Sequence, residues 1–341
     1  MSFRVERFAG TAEEWDRFAR AQSDWTSFHL FEWTKVFGRQ QGHDCPYLCA
    51  RAPDGEMVGV LPLVRVKSSL FGHFLVSMPF VNYGGPLGAV EPVRELVRFA
   101  VEMAKADGVK LLEIRSRTEL PLDLEVSHRK ITVVLDLPES PEALRRAIGA
   151  KLRSQVKRPE KEGVVVRFGA DQVDPFFEVF SRHMRDLGTP TQPRALFRSI
   201  ASGFGEDAWF GCAWLGDRPI AAGAGFRWRD EFEMTWASSL RDYNRIAPNM
   251  LLYWEFMVRA INQGARIFNF GRCSVDSGTH RFKRQWGSRD EKLWWYQHAS
   301  GGTAATPSPD DARFSMGPRI WKHLPLRVAN VLGPRIVKFI P

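Results

Sequence analysis

Four cysteines in 341 residues (Cys45, Cys49, Cys212, Cys273) are too few to staple a chain of this length, and one Cys-x3-Cys without a second pair is no zinc motif. They read as reduced core thiols, and no metal site is expected. Long apolar runs are missing too. The longest uncharged stretch, Ser68 to Val90, contains Pro79, Asn82, Gly84, Gly85, Pro86 and Gly88, so it reads as a strand and a glycine loop, not a membrane span. The opening MSFRVERFAG has no apolar signal core, and a cytoplasmic location is expected. There is no P-loop, no GxSxG, no HExxH and no paired Cys-x2-Cys, which removes many enzyme classes at once. Acid is the scarcer charge: 39 Asp and Glu against 48 Lys and Arg leave a net +9, which favours phosphates, nucleic acid or an anionic membrane as partners.

What is present suffices for about two domains, with a 44% apolar fraction to fill both cores. An internal repeat organises them. The first half reads as strand Arg4 to Phe8, a helix from Thr11 with Glu14 at the capping-box position, strands Tyr47 to Ala52 and Met57 to Lys67, helix Pro92 to Ala106 and strand Lys110 to Arg115. The second half repeats that order in Val164 to Phe168, Asp174 to Leu187, Trp209 to Leu215, Arg218 to Trp228, Glu231 to Ser238, Asn249 to Gln263 and Arg266 to Phe270. DGVKLLEIR (Asp107 to Arg115) matches QGARIFNFGR (Gln263 to Arg272) with one glycine inserted. The offset of about 160 residues is too long for a solenoid and suits duplicated domains. The expected divisions are 1–139, a basic connecting helix 140–163, 164–300, and a linker with a basic amphipathic tail, 301–341.

In the connecting helix Leu144, Ile148, Leu152 and Val156 form a stripe, Arg153, Lys157 and Arg158 add positive charge, and Pro159 should end or kink the helix. The tail, Arg313 to Pro341, has six Lys or Arg and no acid, and reads as two short helices broken at Pro325 and Pro334. It suits packing against the second domain first and contact with an anionic membrane second.

Two places could carry chemistry. In NFGRCSVDSGTHRFKRQWG (Asn269 to Gly287) a buried strand runs into a polar loop with a Phe-Lys step; Lys283 beside Phe282 in a half-buried loop could stabilise charge on an acyl oxygen, or be a solvated loop lysine. Asn82-Tyr83-Gly84-Gly85-Pro86 precedes a helix and could admit a phosphate or only turn the chain. No His or carboxylate stands out as a general base; His29 and Asp276 are only candidates, each with an ordinary structural reading beside it.

HLFEWTKVFG (His29 to Gly38), VNYGGPLG (Val81 to Gly88), SRHMRDLGTP (Ser181 to Pro190), ASSLRDYNRIAPNMLLYW (Ala237 to Trp254) and FNFGRCSVDSGTHRFKRQWG (Phe268 to Gly287) resemble the FemAB-like non-ribosomal peptidyltransferases, particularly their relatives in bacterial exosortase (PEP-CTERM) exopolysaccharide systems. The resemblance implies an α/β (α+β) fold of two tandem GNAT-like domains, each a mixed sheet flanked by helices. It implies acyl or aminoacyl transfer to an amine of a cell-envelope or exopolysaccharide precursor, with Lys283 and Phe282 at the reacting centre. Lys35, Trp33, Tyr83, Gly84, Gly85, Arg153, Lys157, Arg158, Asn249 and Arg272 would bind an anionic, phosphate-bearing acceptor or the donor. No cofactor is held tightly, and the donor is aminoacyl-tRNA or acyl-CoA. Arg245 to Asn249, where acetyl-CoA enzymes of this class carry a glycine loop, has no glycine, which fits tRNA as partner. The alternatives are an acetyl-CoA-dependent N-acetyltransferase and a non-catalytic RNA- or glycan-binding duplicated domain in which Trp294-Trp295-Tyr296 stack on bases or sugars.

Overall fold

The computed structural model describes residues 3–68, 71–300 and 316–340; the expected linker and the first residues of the tail lie outside them. Two compact units divide the chain: Met1–Lys130, Lys292–Ala312 and Arg335–Pro341 form the first, Ile131–Glu291 and Arg313–Pro334 the second. The first begins β1 (Arg4–Arg7), α1 (Ala12–Ala21), α2 (Trp33–Gln41), β2 (Leu48–Arg51), β3 (Met57–Leu61), β4 (Val64–Ser68), β5 (Gly72–Val76), β6 (Leu87–Gly88), α3 (Val90–Ala106), β7 (Leu111–Ser116) and β8 (Glu125–Ser127). The second follows with β9 (Ile131–Asp136), α4 (Pro141–Ala147), α5 (Ala150–Lys161), β10 (Val164–Phe168), α6 (Val173–Leu187), α7 (Arg194–Phe204), β11 (Ala208–Leu215), β12 (Arg218–Trp228), β13 (Glu231–Ser239), α8 (Pro248–Asn262), β14 (Ile267–Cys273), α9 (Gly278–Arg284) and β15 (Arg289–Lys292). The chain then supplies β16 (Trp294–Ala299) to the first unit and ends in α10 (Met316–Trp321) and α11 (Leu326–Val337).

In the first unit a four-stranded sheet, β1-β2-β3-β6, accompanies a five-stranded one, β4-β5-β7-β16-β8. The strand expected over Met57 to Lys67 is split between the two sheets, because Pro62 lies between β3 and β4 and has no N–H for a ladder. Thr11 caps α1 by accepting the Glu14 N–H at 3.3 Å, while the Glu14 carboxylate goes to Arg51 instead of closing a capping box. α3 lays Leu96, Val97 and Ala100 against Leu48, Ala50, Leu112 and Ile114.

The second unit is one seven-stranded mixed sheet, β10-β11-β12-β13-β14-β9-β15. Successive residues of a strand face opposite sides. Trp209 therefore stacks on Phe232 beneath α8, while Phe210 meets Phe176 of α6 on the other side. Gly211 makes room for α8, since a Cβ there would stand 2.9 Å from the Phe256 ring. The stripe Leu144, Ile148, Leu152 and Val156 is buried as expected, but over two helices, α4 and α5, that meet at Ile148 and Gly149. Pro159 does not end α5, which runs to Lys161, and Pro334 is carried inside α11; each sits within four residues of its helix end, where one lost N–H leaves the turn standing.

The duplication reaches the register. β5 pairs with β7 in parallel over Phe74–Val76 and Leu111–Glu113, and β13 pairs with β14 in parallel over Glu231–Glu233 and Ile267–Asn269. The paired positions are those the two halves share in sequence. In both, the parallel strands are joined through the long helix, α3 or α8.

Candidate active site

The glycine that distinguishes the second half from the first is the start of the site. β14 pairs antiparallel with β9, but the register slips between Asn269 and Arg272, and Gly271 there has φ +72°. An extra residue in one strand is a β-bulge, and a positive φ is the conformation glycine adopts without a Cβ penalty. The carbonyls of Gly271 and Arg272 both accept from Lys283, at 2.7 and 3.0 Å from Nζ. Lys283 is 3% exposed. It stands on α9, not on the loop expected from sequence. Ser277 caps that helix by accepting the His280 N–H at 3.1 Å, and Gly287, φ +84°, turns the chain beyond its end.

Burial of the ammonium pulls Lys283 down to about 8, with Arg272 acting the same way and Glu233 opposing. A charged lysine has three N–H donors. Two are spent on the carbonyls, so the third is the one available to a substrate oxygen. Phe282, next to it, turns its ring to Tyr253, 5.0 Å between centroids.

Around the bulge lies a polar network that sequence reasoning missed. Asn269 accepts the Gly271 N–H at 2.8 Å and the Thr132 hydroxyl at 2.6 Å, and donates to Glu231 at 2.8 Å. Glu233, fully buried, accepts from Thr235 at 3.3 Å and pulls on the Lys283 charge. These carboxylates alternate with Phe232 and Met234 in sequence and so read as the solvent side of a strand. The β13–β14 ladder stops at Glu233 and Asn269, although the strands continue to Ser239 and Cys273. His280 was missed too: Asp276 N–H donates to its Nδ1 at 3.0 Å and its Nε2 lies 3.0 Å from both Asp290 oxygens, which fastens α9 to β15.

Asn249 is the second residue of α8, behind Pro248 and behind Ala247, whose φ of +54° puts a side chain where glycine is usual. No side chain caps this helix start, and the Met250 N–H returns to the Ala247 carbonyl at 3.0 Å. On α5, Arg153 turns back on the Ile148 carbonyl, while Lys157 and Arg158 are exposed.

In the first unit Trp33 and Tyr83 are buried, and Trp33 donates to the Ser27 carbonyl at 2.8 Å. Lys35 is half exposed and paired with Glu32 at 2.6 Å. The Gly84 N–H donates to the Arg115 carbonyl at 3.1 Å, and a Cβ on Gly84 would strike Met78; one on Gly85 would press on Ser116 at 3.2 Å. This loop is packed on the end of β7. His29 is buried with Nδ1 accepting the Thr26 N–H and Nε2 3.1 Å from the Gly85 carbonyl, and burial lowers it to about 4. Both nitrogens are engaged. At the position of Asn269 the first unit has Glu113, bonded to Arg115 at 2.7 Å and to Gln297 at 2.7 Å.

Among the described residues no group of three His, Cys, Asp or Glu could hold a metal ion. All four cysteines are free, and burial raises Cys45 to about 12. Among the described residues no tryptophan is exposed; Trp295 and Tyr296 are core residues of β16 and Trp294 is partly buried, so they offer no open stacking surface for the binding-only alternative.

Residues 143–284 match the family model described as Acetyltransferase (GNAT) domain, a span that runs through Lys283. No curated protein matches the sequence. The fold is similar to the crystal structure of FemX, with TM-score 0.64 and 15% identity over 87% of this chain and 97% of that one. It is similar to L-PGS from Bacillus licheniformis, with TM-score 0.58 and 11% identity over 92% and 98%. A tandem GNAT protein from the clavulanic acid biosynthesis pathway follows, with TM-score 0.52 and 14% identity over 89% and 100%.

Proposed function

For a chain that carries a GNAT acyltransferase domain within a FemX-like tandem fold, we propose transfer of an acyl or aminoacyl group to an amine of a phosphate-bearing cell-envelope or exopolysaccharide precursor, at the membrane face where such precursors are assembled. Lys283 carries the reading. Its stem is buried, its ammonium is aimed by two backbone carbonyls, and one proton is left to donate. The acceptor's neutral amine attacks the donor carbonyl carbon, and the carbonyl pair moves to oxygen. Lys283 donates to that oxyanion, the pair returns, the alkoxide or thiolate leaves, and the amine nitrogen loses its proton to solvent. A preplaced donor at an oxyanion is worth about 10²- to 10³-fold in rate. On this reading Asn249 and Arg272 meet the donor, and Arg153, Lys157 and Arg158 of the second unit meet the acceptor's phosphates.

Donors of GNAT-type domains are acyl-CoA or aminoacyl-tRNA, which come and go as substrates. The α8 start favours the second. Ala247 and Pro248 replace the glycines that let a backbone close on a pyrophosphate, and Pro248 offers no N–H. Acetyl-CoA should therefore bind no better than millimolar by calorimetry; a micromolar constant, about 4 kcal/mol tighter, would establish the acetyltransferase alternative instead. The decisive assay is mass spectrometry of an amine-bearing precursor incubated with the protein and either charged tRNA or acetyl-CoA. No mass increase with either donor would sink the reading.

A further inference from the structure

α11 is built inside out. Its small residues Ala329 and Gly333 face the second unit, and a Cβ on Gly333 would stand 2.9 Å from the Thr191 backbone nitrogen. Asn330 on the same side donates to Ser181 at 3.4 Å. Leu326, Ile336 and Val337 are partly buried, but three large residues, Val328, Val331 and Leu332, point away and are 40%, 57% and 38% exposed. A surface helix ordinarily puts its large apolar side chains inward. α10 buries Trp321 but leaves Ile320 60% exposed. Of the ten exposed large apolar side chains among the described residues, four lie in these two short helices, so this is a concentration and not the usual scatter.

Charge says what covers them. Arg327 and Arg335 flank the apolar arc of α11, Arg319 and Lys322 lie on and just after α10, and all four are exposed. No Asp or Glu occurs between Arg313 and Pro341. A second copy of the chain would set cations against cations. The nearby segment GGTAATPSPDDA, 301–312, has no large apolar side chain with which to fill the face. We propose that α10 and α11 dock the protein on an anionic phospholipid surface, with Val328, Val331 and Leu332 entering the headgroup boundary and the four cations over the phosphates. This surface is argued from the two helices alone and stands apart from the transfer reaction.

The test is sedimentation of the full chain with vesicles of phosphatidylglycerol and phosphatidylcholine in equal parts, against phosphatidylcholine alone. Binding to the anionic vesicles should be at least tenfold tighter and should fall with added salt. Val331→Ser with Leu332→Ser should weaken it about tenfold without lowering the melting temperature, because both side chains are exposed. Each of Arg319→Gln, Lys322→Gln and Arg327→Gln should weaken it roughly fivefold. Lys283→Met should bind vesicles as the parent does, so a failure of the transfer reaction leaves this result readable. Equal binding to the two vesicle types, or binding untouched by the serine pair, overturns the proposal. So does a concentration-dependent dimer that the serine pair dissolves, which would make a second copy the occupant.

Discussion

At the residue scale the buried lysine makes pH the sharpest probe. Neutral Lys283 has two N–H groups, and both are already spent on Gly271 and Arg272. Deprotonation therefore removes the donor, and turnover should fall above about pH 8, the value to which burial brings it; a flat rate to pH 10 would contradict this. Lys283→Met should lose about 10²- to 10³-fold in turnover, with little change in acceptor affinity. Stability moves the other way. Between about 8 and its ordinary 10.5 the folded chain binds fewer protons at this site than the unfolded one, so stability rises with pH through that window, by on the order of 3 kcal/mol. Urea unfolding at about pH 7.5 and at about pH 10 should show that rise in the parent and lack it in Lys283→Met. Asn269→Leu strands the Gly271 N–H, the Thr132 hydroxyl and Glu231, and should cost about 2–4 kcal/mol in the same measurement. The partners of Lys283 and of Asn269 were not visible from residue types. The Phe-Lys step drew attention to Lys283, but buried carboxylates such as Glu231 and Glu233 look like solvent-facing strand residues until their neighbours are known.

At the scale of elements the legible parts were those with strong period or strong punctuation. β10 and β12 have the bounds expected, and α6 and β13 differ by one residue at one end. What failed was short or interrupted. α9 has seven residues amid glycine and serine, β15 is four charged residues in a row, and Pro62 divides a strand whose hydrophobic pattern is continuous. The inserted glycine was seen in the sequence and its purpose was not, because a bulge is defined by the partner strand, β9, which lies more than a hundred residues upstream. Gly271→Ala tests that purpose. A Cβ at φ +72° costs about 1–2 kcal/mol, and any relaxation re-aims the two carbonyls, so turnover should drop by more than stability alone explains. Unchanged turnover in a folded Gly271→Ala protein would detach the bulge from the chemistry.

At the scale of the molecule, the duplication was readable and the exchange of strands was not. β9 lies before residue 139 yet pairs with β14 in the second sheet, while β16, from beyond the second sheet, sits between β7 and β8 in the first. A polypeptide of residues 131–291 should therefore melt cooperatively, whereas 140–300 lacks β9 and leaves the edge of β14 open, and should aggregate; equal behaviour in circular dichroism and sedimentation would refute this. The placement of β16 also sets a clock on biosynthesis. When β8 leaves the ribosome, the strand that must fill the gap beside β7 is still about 170 residues away, which at ordinary elongation rates is on the order of ten to thirty seconds. Through that interval β7 waits with its hydrogen-bonding edge bare and its Leu112 and Ile114 uncovered on the side of the missing strand, so the nascent chain, more than the finished protein, is the form that calls for a chaperone.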